Sequence, residues 1–195
     1  MPISQLALMF FLVTNPIGNS PAILALIKDF DVRHQQRILF REGLSALAIA
    51  VFFQYFGEYF LGFLKVEPYS LTLCGGILLS LTAINMIFSL GKPVESKIMK
   101  QEPVIVPIAT PLLSGPGLLT IIMLNSAAEH DNFKITSALL IAWVGIMFIL
   151  FIAPYLQTLL GKRGLGALEQ IMGMVLGLIG MEMLLTGISA FLKTL

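Results

Sequence analysis

Apolar residues run along this chain in long blocks, and charged residues fall in short clusters between them. Residues 1–27, 68–91, 103–128 and 135–161 contain no Asp, Glu, Lys or Arg. A helix crossing a hydrocarbon core of roughly 30 Å needs about 20 mostly apolar residues, so each block predicts one span. Residues 43–64 and 170–192 are as long and as apolar, and each carries one carboxylate, Glu58 and Glu182. The pattern predicts an all-α, polytopic membrane protein of six transmembrane helices, with cores near 4–27, 43–64, 69–90, 104–127, 136–159 and 170–191. The longest connection, roughly 28–42, leaves no room for a soluble domain. The first block has no Lys or Arg ahead of it, so it reads as a resident helix rather than a secretory signal.

Composition strengthens this picture. Of 195 residues, 57% are hydrophobic and 12% charged, about half the charge share of a soluble domain. That excludes a soluble enzyme, a disordered tail and a nucleic-acid binder. One cysteine, Cys74, excludes an internal disulfide framework and a multi-cysteine zinc site.

Charge sets the expected orientation. The connections after the first, third and fifth helices hold Lys28, Arg33, Arg37, Arg41, Lys92, Lys97, Lys100, Lys162 and Arg163. The other side holds Lys65, Lys134 and Lys193, so nine of 12 basic residues lie on one side. Both termini are therefore expected outside, in the periplasm, with Tyr59 and Tyr69 flanking an outer loop.

The chain also copies itself at a period near 95 residues. Asn15-Pro16-Ile17-Gly18-Asn19-Ser20-Pro21-Ala22 stands within helix 1, and Thr110-Pro111-Leu112-Leu113-Ser114-Gly115-Pro116-Gly117 within helix 4. Each has two prolines five residues apart, with small or polar residues between them. Helix 2 maps onto helix 5, and helix 3 onto helix 6 with two extra residues, which matches Asn85 to Glu182. Three helices per unit make the second unit enter from the opposite face, so the repeat is inverted. It divides a single transmembrane domain into 1–91, a cytoplasmic linker at 92–102, and 103–195. Secondary transporters commonly use this plan, with substrate sites where the units meet.

Proline removes a backbone donor and clashes with the preceding turn, so helices 1 and 4 are expected to be broken. Broken backbone survives in a membrane only where protein or a water-filled cavity satisfies it. Half-helix amides suit a carboxylate and half-helix carbonyls a cation. The candidate substrate-binding residues are Asn15, Pro16, Gly18, Asn19, Ser20, Thr110, Pro111, Ser114, Gly115, Pro116 and Gly117. The alternative is that these are packing kinks.

Glu182 lies about 12 residues into helix 6, roughly 18 Å deep. A carboxylate there is expected to face the bundle interior and meet Asn85, and the two are the candidate ion-coupling residues. Glu58 lies nearer the outer end and reads as interfacial. Gly76, Ser80 and Ala83, with Gly173, Gly177 and Gly180, read as a close-packing seam between helices 3 and 6. His34 and His130 fall in connections on opposite sides, and no metal site is expected. Trp143 reads as a bundle or lipid contact.

Asn15-Pro16-Ile17-Gly18-Asn19, Gly75-Gly76, and Pro107 followed by Pro111-Leu112-Leu113-Ser114-Gly115-Pro116-Gly117 resemble the MarC family of bacterial and archaeal inner-membrane proteins, related to LysE-type exporters. The likeness covers essentially the whole chain. It implies a six-helix transporter, and for some members a cation-coupled carrier of small neutral amino acids such as glycine and alanine.

The resulting expectation is an inner-membrane secondary transporter of small neutral solutes working by alternating access. It is not an enzyme, and it needs no cofactor beyond a coupling proton or sodium ion. Its partners are the bilayer and the solute, not nucleic acid, and the sequence leaves a homo-oligomer open. The rival readings are a passive channel, distinguished by uncoupled flux, and a non-transporting structural or partner-binding membrane protein, distinguished by no flux.

Overall fold

The computed structural model describes residues 1–27, 30–88, 112–128 and 131–194, leaving aside the side chains at 157, 158 and 162. The described elements are α-helices: α1 (Ile3–Thr14), α2 (Pro16–Ile27), α3 (Val32–Leu64), α4 (Pro68–Phe88), α5 (Pro116–Ala128) and α6 (Asn132–Leu192). Gly161, at φ 63°, divides α6 into two limbs, Asn132–Leu156 and Arg163–Leu192. Five stretches are long and apolar enough to cross a membrane: α1 with α2, α3, α4 and each limb of α6. At 13 residues α5 is shorter than a span, and the first part of the expected fourth helix, with the linker 92–102, lies outside the described residues.

Two expectations need correction here. The connection expected across 28–42 is mostly helix, because α3 begins at Val32. Its first turns are amphipathic: Arg33, Arg37 and Arg41 recur every fourth residue on the exposed side, while Ile38, Leu39 and Glu42 are buried. His34 therefore lies on a helix, stacked on Phe30 with centroids 4.9 Å apart, and not in a loop. His130 is outside the described residues. At its far end α3 closes through Lys65 in the left-handed region, with Val66 N–H donating to Leu61 O at 3.1 Å, and Pro68 opens α4.

The interior is built on small residues. A Cβ on Gly76 would lie 2.9 Å from Gly180 O, and one on Gly180 would lie 3.0 Å from Gly76 O. Gly173 faces Met86 and Ile87, and Gly187 faces Leu73, so α4 runs antiparallel to the second limb of α6. The seam read from Gly76, Ser80, Ala83, Gly173, Gly177 and Gly180 is thus the helix contact itself. The first limb of α6 packs against α1, with Phe11 over Gly145, and α2 also packs against α6. Trp143, buried, donates Nε1–H to Gly43 O at 2.9 Å and ties that limb to α3. The aromatic end of α3 stays open, with Tyr59 79% exposed where a lipid interface would lie.

Candidate functional site

Pro16 has no N–H to return to Leu12, and a residue before proline is disfavoured in the α region. The chain resolves this at Asn15, in the left-handed region at φ 52°, which asparagine tolerates. Asn15 ends α1 and caps α2: its Oδ1 accepts at 3.1 Å the N–H of Gly18, the third residue of the new helix. Its Nδ2 donates to Met86 Sδ on α4 at 3.2 Å. Gly18 has to lack a Cβ, because one would collide with both Met86 and the Asn15 side chain.

The carbonyls freed by proline find side-chain donors. Pro21 cannot serve Ile17 O, and Ser20 Oγ donates to it at 2.7 Å. Pro116 cannot serve Leu112 O, and Asn19 Nδ2 donates to it at 2.9 Å. The same Asn19 nitrogen donates to Thr14 O at 2.9 Å, at the end of α1. Asn19 therefore joins the two breaks directly. The second break is held from the other side, where Ser114 Oγ donates to Ala46 O on α3 at 2.6 Å.

Between the breaks lies a cavity of about 250 Å³, walled by Val13, Asn19, Leu112, Leu113, Gly115, Pro116, Gly117 and Leu118, with Leu79 and Thr82 from α4 and Leu176 from α6. Its polar groups are the Asn19 amide, the Thr82 hydroxyl and the start of α5. Pro116 is the first residue of α5, and no hydrogen bond is made by the N–H groups of Gly117 and Leu118 to the described residues. The first amides of a helix carry partial positive charge, so this end suits an anionic group. The two breaks are unequal in this respect: Asn15 caps α2, whereas α5 opens on the cavity.

Of the residues expected to bind substrate, Asn19, Gly115, Pro116 and Gly117 line this cavity. Asn15, Ser20 and Ser114 are buried and spend their polar atoms on the backbone or on Met86, while Pro16 and Gly18 shape the first break. Thr110 and Pro111 lie outside the described residues.

The expected placement of Glu182 is overturned. Both Glu182 and Asn85 are exposed. Each stands two residues, about 200° of helix, beyond a residue of the α4–α6 seam: Gly180 for one and Ala83 for the other. They point to opposite flanks of the pair. Asn85 is level with Gly173, so roughly 13 Å of helix axis also separates it from Glu182. Direction around the helix, set by the seam glycines, is what takes Glu182 away from the bundle interior.

Glu42 was missed. It is 0% exposed, its Oε2 has no hydrogen-bond partner among the described residues, and its Oε1 lies 3.3 Å from Nε of Arg41, which is itself 43% exposed. An unpaired buried oxygen costs about 1–3 kcal/mol, and more when charged. The signal was its helical spacing with Ile38, Ala46 and Ala50. Gln54 was missed in the same way; its Nε2 donates to Asn132 O and Thr136 Oγ1, joining α3 to α6.

Comparison with known sequences agrees with the fold. The family described as "MarC family integral membrane protein" matches residues 2–192. The UPF0056 inner membrane protein YhgN of Escherichia coli (strain K12) is 35% identical over 189 residues, covering 96% of each chain. A UPF0056 membrane protein of Buchnera aphidicola subsp. Schizaphis graminum is 33% identical over 187 residues, covering 95% of each. One from Chlamydia pneumoniae is 33% identical over 189 residues, covering 95% of this chain and 93% of that one. No solved structure matches. With apolar helices long enough to span a bilayer and a match along nearly its full length, the chain is an integral membrane protein of the MarC family.

Proposed function

We propose that the chain is an inner-membrane secondary transporter that moves small neutral solutes, of the glycine and alanine type, by alternating access coupled to a proton or sodium ion. The observation that carries this reading is the cavity of about 250 Å³ lying between two helix breaks. It lies below the roughly 300–1,000 Å³ usual for drug-sized ligands, which favours a solute of few atoms. Its described walls hold no ionisable side chain, so a large net charge on the solute would have no counter-ion. The α5 amides suit a carboxylate, and Asn19 Oδ1, which accepts no hydrogen bond from the described residues, suits an ammonium.

The inverted repeat draws support from a reciprocity in the seam. Gly76 lies against Gly180, and Ala83 O lies 3.2 Å from where a Cβ on Gly173 would stand. With Gly76 matched to Gly173 and Ala83 to Gly180, these are one contact with partners exchanged, as a two-fold axis in the membrane plane would produce. Burial repeats too: Leu39, Glu42, Gly43, Ala46, Ala50, Gln54 and Gly57 on α3 correspond, 96 residues on, to the buried Ile135, Ala138, Leu139, Ala142, Ile146, Leu150 and Ala153. Such repeats commonly place the substrate between their units.

Both termini are assigned to the periplasmic side on the basic-residue count. Glu182 does not line the cavity, so the coupling role has lost its geometric basis there. The deciding experiment is flux of labelled glycine, alanine and serine into liposomes carrying the purified protein, with and without proton and sodium gradients. Gradient-driven accumulation supports a secondary transporter. Flux that only equilibrates would make the protein a channel, and no flux of any of the three would reject the substrate class.

A further inference from the structure

Glu42 sits on the face of α3 that holds the second helix break. One turn further along, Ala46 O accepts the Ser114 hydroxyl at 2.6 Å, and Ser114 leads through Gly115 into α5 and the cavity wall. The neighbouring Gly43 O accepts Trp143 Nε1–H from α6 at 2.9 Å. Glu42 is therefore buried within one turn of two backbone carbonyls through which α3 holds the second break and the first limb of α6.

Its two oxygens have different surroundings. Oε1 is 3.3 Å from Nε of Arg41, whose side chain reaches the surface, while Oε2 is buried with no hydrogen-bond partner among the described residues. Among the described residues, α1, α2, α4, α5 and the first limb of α6 from residue 135 onward bring no counter-charge. Residues 1–27, 68–91, 103–128 and 135–161, which include α1, α2, α4, α5 and most of the first limb of α6, contain no Asp, Glu, Lys or Arg. Lys134 lies beside Asn132 and Thr136, which bond Gln54 twelve residues beyond Glu42, about 18 Å along α3. Arg41, on the same helix, is the charged group recorded against Glu42 among the described residues.

We propose that Glu42 is the proton-exchanging carboxyl of this protein, loaded and unloaded from the side where the basic residues cluster. Its role in coupling rests on the transporter reading; its exchange of a proton does not. In the charged form the Arg41 guanidinium faces the carboxylate at Oε1. In the neutral form a proton from water on that side is bonded to Oε2, which gives the buried oxygen a hydrogen to donate and releases Arg41 to the surface. Nothing else is consumed, and the proton returns to water when the O–H bond breaks.

The test is an infrared titration of the full chain in liposomes, taken as difference spectra between acidic and alkaline pH in light and heavy water. The wild type is expected to show the carbonyl stretch of a buried carboxylic acid, shifted in heavy water and lost on raising the pH. Glu42→Gln should lack that band and Glu182→Gln should keep it. A wild type without the band, or a Glu42→Gln protein that retains it, overturns the proposal. If Glu42→Gln does not elute as a monodisperse species, Glu42→Asp serves instead: the band should move, and one that stays in place is equally damaging. In the labelled-solute assay, Glu42→Gln should lose the uptake driven by a pH difference, and its retention would reject the coupling role. A wild type that moves none of the solutes removes the transporter reading, while the infrared result still decides whether Glu42 exchanges a proton.

Discussion

The side-chain nitrogen of Asn19 donates to Leu112 O at 2.9 Å, the carbonyl that Pro116 leaves without a backbone donor. The same atom donates to Thr14 O at 2.9 Å, at the end of α1. One amide therefore bonds to both broken helices and bridges the gap beside the cavity that lies between them.

Replacing Asn19 with alanine removes both bonds. Hydrogen bonds between membrane helices average ~0.6 kcal/mol in double-mutant cycles, but a stranded buried carbonyl costs more than a lost bond. The expected loss of stability is about 1–3 kcal/mol, read as a lower apparent Tm in detergent by Trp143 fluorescence. Uptake should fall further than stability, because Asn19 also lines the cavity. A variant with unchanged Tm would show that the two breaks hold their spacing without this bridge.

Ser20 and Pro21 should be energetically coupled. The Ser20 hydroxyl serves Ile17 O, the carbonyl that Pro21 leaves without a backbone N–H. Ser20→Ala alone should cost about 1 kcal/mol, and the same change in a Pro21→Ala background close to nothing, since the helix then supplies the donor. A double-mutant cycle on apparent stability measures this. Equal costs in the two backgrounds would mean that the serine acts through something other than the proline's missing bond.

Five of the six expected spans were legible in the sequence because charge is excluded from hydrocarbon, and the first break because proline imposes its geometry locally. What was missed depended on direction around a helix. Arg33, Arg37 and Arg41 looked like a basic loop, yet their four-residue spacing marks the exposed side of α3 and leaves Glu42 on the buried one. Glu182 was placed by depth alone. The stripe Gly173, Gly177 and Gly180 already defined the packed side of its helix, and Glu182 is roughly 200° from Gly180. Likewise, the polar residues of the proline motifs looked alike in sequence. Which of them are consumed by freed carbonyls and which face the cavity follows only from how the two breaks meet.

The antiparallel seam predicts a graded glycine series. A methyl on Gly180 meets backbone, Gly76 O and Ser80 N at 3.0 Å each, which cannot yield without moving the helices apart. Gly180→Ala should destabilise by about 1–3 kcal/mol, as overpacking does. Gly177→Ala, whose Cβ would stand 3.5 Å from that of Ala83, should be tolerated, and so should Gly62→Ala, which meets nothing within 4 Å. If Gly180→Ala is as stable as Gly62→Ala in the same detergent, the helices do not approach this closely.

The orientation can be tested with a single thiol. Cys74 is the one native cysteine, and it is replaced by serine to clear the background. A cysteine at Thr194 follows the C-terminal end of α6, while one at Arg37 lies on the exposed basic face of α3. With nine of 12 basic residues assigned to the cytoplasm, a membrane-impermeant maleimide added to intact cells with a permeabilised outer membrane should label position 194 and spare position 37. Opening the inner membrane should then expose position 37. Labelling in the reverse order would invert the protein in the bilayer. It would also put Arg41 and Glu42 on the periplasmic side, where a proton taken up at Glu42 would come from outside the cell.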